Sequence, residues 1–103
     1  MDKTEIIRKV NEYASAINKK YGAAEIYLFG SYAKGNFNID IDIAVVFNDV
    51  DNIFEIQLEL MRLRRNIDSR IELHPFRKSD FDRTNPIVNE ILNHGQEIIV
   101  NVA

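Results

Sequence analysis

Between Tyr27 and Phe47 an apolar run breaks at a glycine and resumes with alternating acids, and this break constrains the fold more than any other part of the chain. Tyr27-Leu28-Phe29 reads as the end of a strand. Gly30 lets the backbone turn sharply and expose its amides, and Ser31 opens a short helix to about Lys34 whose unpaired N–H groups attract anions. A triphosphate suits such a turn. After an Asn-rich stretch, Asp40 to Phe47 alternates, so that Asp40 and Asp42 share one strand face while Ile41 and Ile43 share the other. Two carboxylates on one face can bridge a divalent metal, whereas either alone could cap or solvate a loop. Aspartate is disfavoured inside an apolar strand, so its place in this run calls for a compensating cation.

The remaining elements follow from periodicity. Ile6, Ile7, Val10, Tyr13, Ala14, Ile17 and Tyr21 recur at helical spacing, and Gly22 supplies the stop. A first strand is expected over Ala24 to Phe29 and a second over Asp40 to Phe47. Asn48, Asp49 and Asp51 mark a loop. Ile53, Ile56, Leu60, Leu63 and Ile67 form the stripe of a second long helix, which Phe54, Leu58 and Met61 broaden into a well-covered one. Arg70 to His74 reads as a third strand ended by Pro75. Asn85-Pro86 reads as the cap and first turn of a last helix that stops near His94-Gly95, followed by a closing strand over Glu97 to Val102.

The third strand contributes another acid. Alternation places Ile71 and Leu73 on one face and Arg70, Glu72 and His74 on the other. Glu72 is therefore either a third carboxylate beside the Asp pair or a surface acid paired with Arg70. His74 shares that face, which leaves a role beside the site open, but it reads first as a hydrogen-bonded structural histidine, and His94 reads as a helix-end or surface residue. Arg62, Arg64 and Arg65 fall in the last turns of the long helix, where cations complement its dipole. Tyr13, Tyr21, Phe54 and Phe81 read as packing residues.

With 103 residues, 46% hydrophobic and 28% charged, the chain can build one core, so a single domain over residues 1–103 is expected. It has no cysteine and no stretch long enough to span a bilayer. The charged start Met1-Asp2-Lys3-Thr4-Glu5 is unlike a signal sequence, which leads to a cytoplasmic expectation. A net charge of −3 argues against broad attraction to nucleic-acid phosphates.

Gly30-Ser31 followed by Asp40-x-Asp42, with Tyr27-Leu28-Phe29 before it and Ala33, Lys34 and Gly35 within it, resembles the signature of the DNA polymerase β-like nucleotidyltransferase superfamily. It is most similar to the minimal nucleotidyltransferase-domain proteins of bacteria and archaea, and the resemblance covers most of the chain. One feature departs from the pattern: eight residues separate Ser31 from Asp40, about two fewer than usual, with Ile39 where a serine commonly precedes the first acid. That difference bears on how phosphates sit relative to metals.

The resemblance implies an α/β fold, a small mixed β-sheet flanked by helices. It implies a metal-dependent transfer of a nucleotide, AMP from ATP, to an acceptor hydroxyl. Asp40, Asp42 and Glu72 would hold two Mg²⁺ ions, Glu72 would also orient the hydroxyl, and Gly30, Ser31 and Lys34 would bind the outer phosphates. Larger relatives carry a further domain for the acceptor, so another chain is expected to supply it here. Minimal nucleotidyltransferases are often paired with a helical HEPN-type protein, as antitoxins that adenylylate or sequester a ribonuclease toxin. The alternatives are a non-catalytic antitoxin of the same fold that neutralises its partner by contact, and modification of a small molecule such as an aminoglycoside at a homodimer interface.

Overall fold

A computed structural model describes residues 3–22, 25–30, 41–48 and 50–99 of the protein. Helix α1 (Lys3–Tyr21) forms on the expected period, with Ile6, Val10, Tyr13, Ala14 and Ile17 all buried, whereas Ile7 lies at the edge of the stripe and is partly exposed. It ends at Gly22, whose positive φ of 62° is easy for glycine, and the Gly22 amide donates to the Asn18 carbonyl at 2.8 Å. Strand β1 (Glu25–Phe29) then leads to the Gly30 turn, and β2 (Ile41–Phe47) follows. The short helix expected over Ser31 to Lys34 lies outside the described residues.

Helix α2 (Ile53–Arg65) joins β2 to β3 (Ile71–Arg77). Asn52 caps α2 by accepting from the Phe54 and Glu55 amides. Its buried stripe is narrower than the sequence suggests. Leu60 is fully buried with Ile56, Leu63 and Ile67 packed around the same cluster, but Phe54 and Leu58 are 74% and 56% exposed, so Phe54 is not a packing residue. A helix lying against one side of a sheet has only one covered stripe, and these two residues fall outside it.

Strand β3 also corrects the expectation, because it runs through Pro75 instead of stopping there. The sheet order is β3-β2-β1-β4, which makes β3 an edge strand. The Ile71 carbonyl is taken by the Arg64 side chain, so that position points away from β2. Pro75 shares the parity of Ile71, and its missing N–H therefore falls on the open edge, where no ladder bond is lost. Helix α3 (Pro86–His94) starts at the Asn85 cap and stops before Gly95, as expected. The closing strand β4 is Gln96–Glu97, so it begins one residue earlier than expected and ends at Glu97 instead of running on through Ile98 and Ile99. Just beyond it the Ile98 amide donates to the Ile26 carbonyl at 2.7 Å, and residues 100–103 are outside the described set.

The result is a mixed sheet flanked by helices, with β1 antiparallel to β2 and β4 and with β2 parallel to β3. Side-chain alternation sorts its two faces. Ile26, Leu28, Ile41, Ile43, Val45, Phe47 and Ile71 pack with α1 and α2 in the larger cluster, while Phe29 and Ala44 meet Ile91 of α3 on the other side. Across the larger cluster the buried Tyr13 hydroxyl donates to the Leu60 carbonyl at 3.0 Å, tying α1 to α2. No helix among the described residues is long and apolar enough to cross a membrane.

Asp68, in the turn between α2 and β3, is the buried charged residue among those described. Its Oδ1 accepts from the Arg70 amide at 2.9 Å and from Arg70 Nε at 3.1 Å, its Oδ2 accepts from Arg70 Nη2 at 2.7 Å, and Lys9 of α1 approaches at 3.5 Å. The fork from Arg70 holds the Asp68 carboxyl at about 2, below its ordinary 3.8, with the backbone bond and Lys9 adding to the effect against burial. A depressed folded value means that this stabilisation is complete above the unfolded pKa and is lost as pH falls from about 4 towards 2. Since Arg70 is partly exposed, screening leaves a contribution of about 1–2 kcal/mol. Asp68→Asn should therefore flatten the fall in stability across this window, which urea unfolding at pH 2.5, 4 and 6 would measure; an unchanged pH slope would remove Asp68 as its source.

Candidate active site

The β2–β3 ladder sets Asp42 directly beside Glu72 and Ala44 beside His74, and the β1–β2 ladder sets Phe29 on the other flank of Asp42. Residues two apart on a strand share a face, so Asp42, Glu72 and His74 all stand on the α3 side of the sheet. His74 is diagonal to Asp42 across the ladder, a separation that a long side chain can bridge. The small Ala44 leaves that diagonal open. His74 Nε2 lies 3.0 Å from Asp42 Oδ1, and one donor atom from each of Asp42, Glu72 and His74 lies within 4.8 Å of the others.

Two further contacts shape the cluster. The Phe29 ring meets the His74 imidazole edge-on, with centroids 5.0 Å apart and planes at 65°, which limits how the imidazole can turn. Gly30 has a φ of +77°, and a Cβ built there would clash with Asp42 Oδ2. The glycine thus serves twice: it makes the left-handed turn after β1 and clears the space that the Asp42 carboxylate occupies. Asp42 and His74 keep 20% and 32% of their side-chain surface, and Glu72 is exposed, so the cluster opens to solvent.

Of the residues singled out in the sequence, the structure brings together Gly30, Asp42 and Glu72. Asp40, Ser31 and Lys34 lie outside the described residues. Arg70, the alternative partner considered for Glu72, forms its fork with Asp68. His74 is hydrogen-bonded, as read from the sequence, but its partner is Asp42 itself, which places it inside the cluster instead of beside it. The signal for this was the shared parity of Glu72 and His74; what the sequence does not carry is the register that brings that face against Asp42. Two carboxylates and an imidazole converging on a solvent-accessible face form a donor set that fits a divalent cation, and Asp42 Oδ2 already stands in the gap left by Gly30.

Residues 7–98 match the family described as nucleotidyltransferase domain. No curated protein sequence matches the chain. Similar solved structures include the complex of a tri-AMPylated Shewanella oneidensis HEPN toxin with an MNT antitoxin, at 25% identity and a TM-score of 0.63, covering 94% of this chain and 73% of that one. A toxin–antitoxin structure with AMP-PNP is 26% identical with a TM-score of 0.62, covering 88% and 73%. A Sulfolobus solfataricus protein described as a nucleotidyltransferase is 23% identical with a TM-score of 0.62, covering 81% and 82%, a likeness in fold alone.

The tight approach of Gly30 to Asp42 makes a specific coupling testable. Gly30→Ala should destabilise the fold by about 2 kcal/mol or more, from left-handed strain together with the clash against the carboxylate. In an Asp42→Ala background only the strain remains, so the same substitution should cost at least about 1 kcal/mol less. A double-mutant cycle by urea denaturation measures this, and additive costs would show that the carboxylate is not what Gly30 accommodates.

Proposed function

The chain belongs to the nucleotidyltransferase-domain family, and from that premise we propose that it transfers AMP from ATP to a hydroxyl of a partner protein, a HEPN-type toxin for which it acts as antitoxin. The observation that carries this reading is the pairing of Asp42 with Glu72 across β2 and β3, next to the turn at Gly30. The similarity to a complex containing a tri-AMPylated HEPN toxin and to a toxin–antitoxin with AMP-PNP supports the choice of nucleotide and acceptor.

Each residue has a chemical role in this reading. Asp42 and Glu72, together with Asp40, would hold Mg²⁺. When bound, such ions would supply positive charge to both the attacking and the leaving oxygen of an in-line displacement. The Gly30 and Ser31 amides, with the Ser31 hydroxyl and Lys34, hold the outer phosphates of ATP. Glu72 orients the acceptor hydroxyl, whose oxygen bonds to the α-phosphorus as the bond to the bridging oxygen of the β-phosphate breaks. Pyrophosphate leaves and the hydroxyl proton passes to solvent. Most of the rate comes from position and charge, so misplacing one carboxylate should be severe.

A second reading, a non-catalytic antitoxin that neutralises its partner by contact, is favoured by one observation: the short spacing between Ser31 and Asp40. Labelled ATP with Mg²⁺ and the partner separates the two. On the catalytic reading label moves to the partner, and Asp42→Asn slows transfer on the order of 10²–10³-fold. Mg-ATP at a hundred times its Kd should also stabilise the unmodified protein by about 2.7 kcal/mol through linkage, and Asp42→Asn should lose that gain. Tight partner binding with no transfer of label in either protein would establish the contact reading.

A further inference from the structure

We propose that His74 is a further metal donor of this site, through Nε2 and beside Asp42 and Glu72, and that it turns the preference of the site from Mg²⁺ towards Mn²⁺. The inference rests on the reading of Asp42 and Glu72 as a metal-holding pair. Backbone register carries its first step: β3 alternation puts Glu72 and His74 on one face, and the parallel ladder sets that face against Asp42 with only Ala44 opposite the imidazole. The second step is the choice of atom. Nε2 is the nitrogen that reaches Asp42 Oδ1, at 3.0 Å, so it is the ring nitrogen already at the carboxylates. A histidine that served only to steady Asp42 would need that one partner. Here a donor of Glu72 also lies within 4.8 Å of the group, which is the convergence that a shared cation requires.

The third step is preorganisation. The edge contact with Phe29 at 5.0 Å restrains the imidazole plane, and Gly30 keeps Asp42 Oδ2 clear, so the donors need little rearrangement to close on an ion. Ligand chemistry then decides which ion. Mg²⁺ favours an all-oxygen octahedron and sheds its water reluctantly, so an imidazole gains it little. Mn²⁺ accepts the same carboxylates and bonds nitrogen more readily. A site built from two carboxylates and an imidazole thus discriminates in a way that carboxylates alone do not.

The test uses the full chain without an affinity tag, loaded with Mn²⁺ or Mg²⁺ in the absence of nucleotide and partner. Pulsed electron paramagnetic resonance of bound Mn²⁺ reads nitrogen coordination directly, and calorimetric titration reads both affinities. The unmodified protein should show the modulation of a coordinated imidazole nitrogen and bind Mn²⁺ at least about tenfold more tightly than Mg²⁺. His74→Ala should lose the modulation and most of the preference, while Mg²⁺ affinity changes little. His74→Asn, whose amide can still donate to Asp42, should lose both as well, and His94→Ala, at the far end of α3, should lose neither. Mn²⁺ bound without nitrogen modulation, a preference retained in His74→Ala or in His74→Asn, or an unmodified protein that binds neither ion would each overturn the proposal. Because these readouts need no acceptor, nitrogen-coordinated Mn²⁺ in a protein that transfers no nucleotide would sustain this inference while defeating the catalytic reading.

Discussion

Strand β2 lies between β1 and β3 with its backbone paired on both edges, and every residue from Ile43 to Phe47 is buried. Its register is therefore fixed from four sides at once, by two ladders and two packed faces. A slip of one residue would turn Ile41, Ile43 and Val45 away from α1 and α2 and drive Asp42 into that apolar cluster. Placing an unpaired carboxylate there costs several kcal/mol, more than a small domain can lose. The core thus enforces the position of Asp42, and through the Asp42–Glu72 and Phe29–Asp42 pairings it enforces the whole cluster.

The two sides of the sheet divide stability from chemistry. Helices α1 and α2 cover one face with a continuous apolar cluster, reinforced by the Tyr13–Leu60 hydrogen bond and by Lys9 reaching Asp68. The other face has α3, packed through Ile91 against Phe29 and Ala44, with Tyr27 stacked on Phe81 and Phe76 meeting Phe81 edge-on beside it. Among the described residues that cover stops short of Asp42, Glu72 and His74. Polar groups that keep contact with water are tolerable only where the covering layer ends. An incomplete layer on the α3 side is what lets the cluster exist beside a core that excludes it.

Features set by local chemistry could be read from residues alone. The period of α1, the left-handed stop at Gly22, the Asn85-Pro86 start of α3 and the alternation that puts Glu72 and His74 on one face all depend on near neighbours, and all appear as expected. Features set by sheet order could not. Pro75 breaks a central strand but not the outer edge of a marginal one, and nothing in the Leu73-His74-Pro75-Phe76 text says which kind β3 is. Phe54 and Leu58 look apolar enough to be covered, yet the width of the covered stripe on α2 depends on what packs against it. The meeting of His74 with Asp42 joins residues on two strands separated by a helix, so alternation predicted its face but only the ladder supplied its partner.

The same separation of local from global causes bears on the short connection between Ser31 and Asp40. Asp42 faces α3 because it pairs with Phe29 and Glu72 and because Ile41 and Ile43 are held on the opposite side; none of these constraints involves the length of the connection. Two residues fewer can therefore change where Ser31 stands relative to Asp42 without changing where Asp42 points. On the proposed reading, metal holding by Asp42 and Glu72 would be insulated from that difference. Phosphate placement by Ser31 and Lys34 would not. On that reading, core packing fixes the carboxylates whatever the length of the connection, and the catalytic and contact readings of the protein then differ in that connection and not in the fold.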